Sequence, residues 1–201
     1  MQEAIVGNWT QDSHLSAQAL GSLRDLNHRF LDWLAARAEW AAAQVAPLSS
    51  AQRAAAAGCP YALFDLRFQD EAHWRLRLQN AGPLNAGSWR VADESAADDA
   101  TVSFARIALF YVWHVASSAS LGAQLLLGMN GNTAAAFRRI TVNQLPALAV
   151  TEAVHLSARW SACHSYWSAL TAAAAGADAA ALRRVQLYGL QLAAAAWLPD
   201  S

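Results

Sequence analysis

The stretch SLRDLNHRFLDWLAARAEWAAAQ, which spans residues 22–44, decides the fold class of this chain. Its apolar side chains recur at steps of three and four residues, and its charged side chains lie between them. The apolar set is Leu23, Leu26, Phe30, Trp33, Leu34, Ala38 and Ala41, and the other face carries Arg24, Asp25, Arg29, Asp32 and Arg37. This period is typical of an amphipathic helix with one buried face. We therefore predict one helix from about Ser22 to Gln44, ended by Pro47, which cannot continue it.

Two later segments carry a helix-start signature, in which a hydroxyl residue is followed three positions later by glutamine. These pairs are Ser49 with Gln52 and Thr141 with Gln144. The first helix is predicted to end at Gly58. Pro146 fits a helix that starts at Thr141 imperfectly, because proline lacks the N–H that the helix would use at that position. If Asn143 is the cap instead, Pro146 lies in the first turn, where backbone N–H groups have no helical partner.

Most of the remaining chain is also predicted to be helical, over residues 70–78, 102–115, 121–129, 133–140, 165–175 and 179–197. Residues 61–68 alternate apolar and polar side chains, which fits a short strand, although a helical turn is an alternative. Residues 79–100 combine glycine, proline and acidic residues, which is typical of an exposed connector.

These patterns together predict an all-α fold that forms a compact helical bundle. One arrangement of this bundle is two similar helical halves in tandem. The predicted parts are an N-terminal helical half (residues 1–80), an acidic connector containing Gly and Pro (81–101) and a C-terminal helical half (102–201), which can pack as one domain. A repeat is suggested by Arg67-Phe68 and Arg159-Trp160, each dipeptide lying fifteen residues beyond its capping glutamine. Two unrelated alanine-rich capped helices would look similar, so a chance likeness is the alternative.

Composition excludes several classes of protein. The chain has 201 residues, of which 55% are hydrophobic and 14% charged, too apolar for disorder, and its two cysteines are too few for a disulfide scaffold. All 14 basic residues are arginine, and the net charge of −1 lacks the positive excess that is typical of proteins that bind nucleic acid. The N-terminus lacks the basic start of a secretory signal, so we expect a cytoplasmic protein. Residues 107–137 contain no formally charged residue before Arg138; buried helices are favoured there over a membrane span, because polar residues divide the run.

No catalytic signature is present, and we predict neither an enzyme nor a bound cofactor. The soft metal ligands considered are Cys59, Cys163, His155 and His164, and since no CxxC or HExxH spacing occurs, no metal site is predicted. The acidic residues Asp65, Asp70 and Glu71 are interpreted as salt bridges around Asp70, which is predicted to cap the following helix.

Tryptophan supplies most of the bulk in this alanine-rich chain, and Trp and Arg are favoured at interfaces. The candidate partner-binding residues are Trp33, Trp40, Arg67, Trp74, Arg159, Trp160 and Trp167. Arg138 and Arg139 are candidates for nucleic-acid binding only under an alternative function, because two arginines make a poor footprint for a phosphate backbone.

One segment has a recognisable order of motifs: QLLLGMN at 124–130, AAAF at 134–137, Ile140-Thr141, Gln144-Leu145 and Arg159-Trp160. With the helix that precedes it, this segment (about 103–160) resembles the flagellar transcriptional regulator FlhD family, and residues 22–74 repeat part of the pattern. Members of that family are small helical proteins that act as oligomers with a zinc-binding partner, FlhC, which supplies much of the DNA contact. The resemblance implies a tandem, single-chain version of a helical regulator dimer. About 40 extra C-terminal residues and the absence of lysine depart from the family.

We therefore predict a non-enzymatic bacterial adaptor or regulatory protein that acts through protein–protein contacts. The resemblance implies a setting in motility or secretion regulation. A protein partner is expected and a homo-oligomer is left open, without direct nucleic-acid contact or membrane insertion. The alternatives are a DNA-binding transcriptional regulator and a helical protein that binds a small apolar ligand in a Trp-lined space.

Overall fold

A computed structural model of the chain describes residues 16–37, 40–80 and 97–195. Within these ranges lie ten α-helices and one pair of two-residue strands, which confirms the all-α fold. The helices are α1 (Ala17–Ala35), α2 (Trp40–Val45), α3 (Ser50–Ala56), α4 (Glu71–Asn80), α5 (Asp99–Ser118), α6 (Ser120–Leu127), α7 (Gly131–Phe137), α8 (Leu145–Glu152), α9 (His164–Ala175) and α10 (Ala179–Ala195). The strands are β1 (Phe64–Asp65) and β2 (Ser157–Ala158), and short 3-10 turns flank α8 at Val142–Gln144 and Ala153–His155. Most of the predicted connector, residues 81–96, lies outside the described residues.

The prediction of one continuous helix over residues 22–44 is wrong. Helix α1 begins earlier, where the Ser16 hydroxyl accepts a hydrogen bond from the Ala19 N–H (3.0 Å), and it ends before Ala36. Tertiary contacts fix its end, because the Trp33 indole N–H donates to the Thr101 hydroxyl (2.9 Å) and Arg37 pairs with Asp98. These contacts hold the end of α1 against the start of α5, and α2 then follows as a separate helix that packs on α9.

Helix α5 is longer than the predicted 102–115 because Asp98 caps it, accepting from the Thr101 N–H at 2.8 Å. It is separated from α6 at Ala119, whose backbone is non-helical, and α6 ends at Gly128 in the left-handed conformation (φ 70°). Among the described residues, no helix has the length and apolarity that a membrane span requires.

Both predicted capping boxes are confirmed. In each, the hydroxyl residue and the glutamine form the expected pair, at Ser49 with Gln52 and at Thr141 with Gln144. Pro146 lies in the first turn of α8, where its missing N–H costs no helical hydrogen bond.

The ambiguous segment 61–68 contains the short strand β1, and a buried asparagine on α1 organises the turn that leads to it. The Asn27 amide donates to the carbonyl oxygens of Ala57 (3.3 Å) and Tyr61 (2.9 Å), and its oxygen accepts from the Leu63 N–H (2.9 Å). Asn27 is fully buried. Its side chain therefore satisfies backbone groups that no helix or sheet satisfies in this turn.

The two halves share local structure at positions 93 residues apart. Strands β1 and β2 pair antiparallel, Phe64 with Ala158 and Asp65 with Ser157. Since Ser157 is the counterpart of Phe64 and Ala158 is the counterpart of Asp65, each residue pairs with the counterpart of its neighbour. A two-fold axis between the strands produces this pattern. Each strand is followed by a residue with positive φ, Arg67 (58°) and Trp160 (54°). The repeat's dipeptide alignment, which places Arg67 opposite Arg159, is therefore one residue out of register.

Packing between the halves is crosswise. Helix α4 of the first half packs on α7 of the second, and α9 of the second half packs on α2 and α3 of the first. The long helices α1 and α5 also contact each other. Because each half places a helix on the other, the apolar core is continuous from Leu23 to Val185.

Candidate functional site

The crosswise packing brings together three metal-ligating side chains, His73 on α4, Glu152 at the end of α8 and His155 in the following 3-10 turn. The nitrogen or oxygen atoms they offer all lie within 4.8 Å of one another. We call these three residues the His–Glu–His cluster. Asp70 fixes the first turn of α4, because its carboxylate accepts from the His73 N–H at 2.9 Å, as the predicted cap requires.

Glu152 is the central group of the cluster, and its side chain is fully buried. One carboxylate oxygen, Oε2, lies 2.6 Å from His73 Nε2. The other oxygen, Oε1, accepts from Arg77 Nε and from the Thr151 hydroxyl, both at 3.1 Å. A buried carboxylate is stable only when it is paired in this way.

His155 lies edge-on to His73, with ring centroids 5.1 Å apart and the planes nearly perpendicular (89°). Desolvation lowers the pKa of His155; the nearby Glu152 carboxylate opposes this effect, while His73, Arg67 and Arg77 add to it. The neutral form of the imidazole, which carries a lone pair for a ligand, is therefore favoured.

The counterpart of this site across the two-fold axis has different chemistry. At the positions 93 residues away from Glu152 and His73 lie Cys59 and Tyr166, with the Cys59 sulfur 3.9 Å from the Tyr166 hydroxyl. The Tyr166 hydroxyl also donates to that of Tyr61 (3.2 Å), and all three side chains are buried. Burial raises the pKa of Cys59 to about 11 and that of Tyr166 well above its ordinary value, so both groups are neutral.

Three of the predicted partner-binding residues, Trp74, Arg159 and Trp167, lie in the core, where they offer no surface to a partner. The Trp74 indole N–H donates to the carbonyls of Leu66 (3.2 Å) and Arg67 (3.0 Å), and that of Trp167 donates to the carbonyl of Arg159 (3.0 Å). Each tryptophan therefore holds the chain just beyond the strand of its own half.

Arg159 is 5% exposed and has a structural contact with the end of α6. Its Nη1 donates to the carbonyl oxygen of Leu126 (3.0 Å), and its guanidinium lies over the Trp160 ring, 4.5 Å from the centroid. A Cβ at Gly128 would lie 2.2 Å from Nη2, so glycine is required for this approach. Burial lowers the pKa of Arg159 to about 10.

The other four predicted partner-binding residues are at least partly exposed, and they lie apart from the His–Glu–His cluster except for Arg67. Trp40 stacks on His164 with centroids 4.0 Å apart, and Trp33 stacks on Phe30 at 5.5 Å. Trp160 packs against the Tyr61 ring, and Arg67 pairs with Asp70 at 3.5 Å.

Arg138 and Arg139, the nucleic-acid candidates, are both exposed just after α7. Cations at this position interact favourably with the C-terminal end of a helix dipole, which gives them a structural reason to be there.

The outward face of α5 exposes two large apolar side chains beside the polar Arg106 and His114. Ile107 (42% exposed) and Phe110 (36%) are one helical turn apart on α5. The exposed side of α1 carries Arg24, Asp25 and Arg29 instead. Helix α8 and the 3-10 turn after it, which both pack on α5, also expose one valine each, Val150 and Val154.

Helices α9 and α10 enclose an open groove of about 700 Å³. Its lining consists of Ala169, Ala172, Ala173, Gly176, Asp178, Ala181, Arg184, Val185 and Tyr188. Because the lining contains no tryptophan, this groove is not the Trp-lined space expected for an apolar ligand.

As a metal ligand, His155 was a candidate from the sequence, whereas His73 and Glu152 were not. The available signal was the isolation of Glu152, the only acidic residue between Asp99 and Asp178 in an otherwise apolar stretch. A lone acid predicted to lie on a buried helix needs a partner, and α4 carries histidine and arginine one turn apart, at 73 and 77.

The chain was compared with models of protein families, with curated proteins and with solved structures, and none of the three comparisons gave a match.

Proposed function

We propose that this chain is a non-enzymatic regulatory or adaptor protein that binds a protein partner through the outward face of α5. The observation that carries the proposal is the exposure of Ile107 and Phe110, one helical turn apart on the outward face of α5. Neighbouring exposed apolar side chains are a mark of interaction surfaces.

The charges around this face indicate what the partner offers. Between residues 100 and 177 the only acidic side chain is Glu152, which is buried, whereas Arg106, Arg138 and Arg139 are exposed. Beyond Asp99 in the first turn of α5, a surface with apolar residues and arginines is complementary to an amphipathic helix with acidic side chains beside its apolar stripe. We propose a partner helix of this kind.

The biological setting is proposed from the resemblance alone. Residues 103–160 resemble the flagellar regulator family, whose members act through a partner protein. This supports motility or secretion regulation in a bacterial cytoplasm, with a single chain in the place of a regulator dimer.

Site-specific photo-crosslinking in the native host tests the contact. A photoreactive amino acid at Phe110 on α5 is compared with the same amino acid at Asp25 on the charged face of α1. We expect a cross-linked protein at position 110 only, and it should contain an acidic amphipathic helix at the contact. The purified partner should bind the Phe110→Asp variant at least ten-fold more weakly, and it should bind the Leu187→Asp variant, on α10, like the unmodified chain. Equal cross-linking at both positions, or equal binding of both variants, would overturn the proposal.

The DNA-binding alternative depends on Arg138 and Arg139, which are exposed but few. A gel shift with a promoter fragment at low salt tests it, because phosphate contacts weaken steeply as salt rises. A shift that disappears when both arginines are changed to glutamine, and persists in the Phe110→Asp variant, would replace the adaptor proposal with direct DNA binding.

A further inference from the structure

The His–Glu–His cluster has the composition of a metal site, and it is independent of the α5 face. We propose that His73, Glu152 and His155 bind one divalent transition-metal ion, for which Zn²⁺ is the best fit. Two imidazoles and one carboxylate form a known ligand set for zinc with an open fourth position. His155 is half-buried and His73 is nearly buried, so the cluster lies at the surface end of a buried carboxylate, where an ion can enter.

The distances suit a site that closes on an ion. Ligands about 2.0–2.1 Å from a tetrahedral zinc lie roughly 3.3 Å from each other. In the cluster, the ligand atoms are separated by 2.6 Å for His73 and Glu152 and by no more than 4.8 Å for any pair. Side-chain rotations that move the ligand atoms of His73 and His155 by about an ångström would bring all three residues within bonding distance of the ion, without movement of the helices.

Glu152 is already arranged as a ligating carboxylate with outer support. Its Oε1 atom is held by Arg77 and by the Thr151 hydroxyl, while Oε2 faces His73 Nε2. Metal-bound carboxylates are commonly fixed through hydrogen bonds of this kind. The ion would replace the hydrogen bond between Oε2 and Nε2, and the contacts of Oε1 would stay as they are.

The two-fold counterpart shows that the fold does not need a charged group at these positions. Cys59 and Tyr166 occupy the positions equivalent to Glu152 and His73, and they form a neutral, closed pair. Buried ion pairs are frequently no more stabilising than well-packed neutral side chains. The presence of a buried carboxylate, with two imidazoles around it, on one side only is therefore better explained by a ligand than by stability.

The test uses the full chain, purified without a histidine tag and stripped of metal with a chelator. Zn²⁺ and Co²⁺ are titrated separately; Zn²⁺ is followed by calorimetry and Co²⁺ by its visible absorption, which reports coordination geometry. We expect one ion per chain, a tetrahedral or five-coordinate Co²⁺ spectrum, and a melting temperature that rises with Zn²⁺ concentration because the ion binds the folded state.

Two variants identify the ligands. His155→Gln removes a partly exposed ligand and should leave the fold intact, while His114→Gln, on the exposed side of α5, is the matched control. We expect the first to weaken binding of Zn²⁺ by more than the roughly 10- to 100-fold that loss of an outer contact causes, and the second to leave it unchanged. Absence of stoichiometric binding by the unmodified chain, or equal binding by the two variants, would overturn the proposal.

Discussion

Replacement of Gly189 by alanine should destabilise the protein, although alanine is the better helix former. Gly189 lies inside α10, and a Cβ added there would lie 2.0 Å from the hydroxyl oxygen of Tyr61 and 2.2 Å from its Cζ. The ring would have to retreat by about 1.5 Å to restore ordinary contact. Tyr61 is fully buried and packs against Tyr166, so it has no free space to enter.

The magnitude follows from opposing contributions. Relief of the glycine penalty in a helix stabilises the fold by about 0.5–1 kcal/mol. Overpacking of a core site costs about 1–3 kcal/mol. A shifted Tyr61 would also lose hydrogen bonds to the Val185 carbonyl (3.3 Å) and from the Tyr166 hydroxyl (3.2 Å), at about 1 kcal/mol each. We therefore expect Gly189→Ala to lower the free energy of unfolding by about 2 kcal/mol or more.

The chain contains a matched control. Gly21 lies inside α1, where an added Cβ would meet nothing within 4 Å. Gly21→Ala should raise the free energy of unfolding by about 0.5–1 kcal/mol, the opposite sign. Denaturant unfolding followed by tryptophan fluorescence measures both variants. In a Tyr61→Leu background, which removes the clashing atoms, Gly189→Ala should lose its penalty. If Gly189→Ala stabilises the protein as Gly21→Ala does, the close packing of α10 on Tyr61 is refuted.

Three further outcomes are expected. Asn27→Leu leaves several buried backbone groups without a partner at about 1–3 kcal/mol each, so unfolding in urea should begin at a much lower concentration; an unchanged midpoint would contradict the role of its amide. Trp74→Phe and Trp167→Phe each lose an indole N–H bond to the chain beyond a strand, and their costs should agree within about 1 kcal/mol; calorimetric costs that differ widely would argue against equivalent roles. Several effects hold the pKa of Asp98 well below its ordinary value, and hydrogen bonding to Arg37 is the largest of them. The Asp98 carboxylate therefore stabilises the fold above about pH 4, and this stabilisation is lost as the pH falls further. Asp98→Asn should therefore flatten the acid side of the curve of unfolding free energy against pH, and an unaltered curve would show that this ion pair does not stabilise the fold.

Local rules predicted the elements whose cause is local. The capping boxes at Ser49 and Thr141 and the Asp70 cap follow from a few neighbouring residues, and the structure confirms them. The end of α1 was mispredicted because its cause is distant: Trp33 and Arg37 bind groups at the start of α5, more than 60 residues along the chain. Periodicity reports which face of a helix is buried, but not where a remote partner interrupts it.

The His–Glu–His cluster was beyond prediction for the same reason. His73 and Glu152 are 79 residues apart and meet only because α4 crosses to the other half of the molecule. In the sequence, Trp74 and Trp167 are 93 residues apart whereas Arg67 and Arg159 are 92 apart, and this difference obscures the register. Backbone conformation settles it, since the positive φ angles fall at Arg67 and Trp160.

The differing side chains at the two-fold related sites have a consequence for stoichiometry. A dimer of identical subunits presents each surface twice, so it binds ligands or partners in pairs and has no preferred direction. Here one position is filled by Cys59 and Tyr166 and the other holds Glu152 and His73. The proposed α5 face and the His–Glu–His cluster each occur once among the described residues, so each would bind one partner or ion per chain, and a partner on α5 would be held in one orientation.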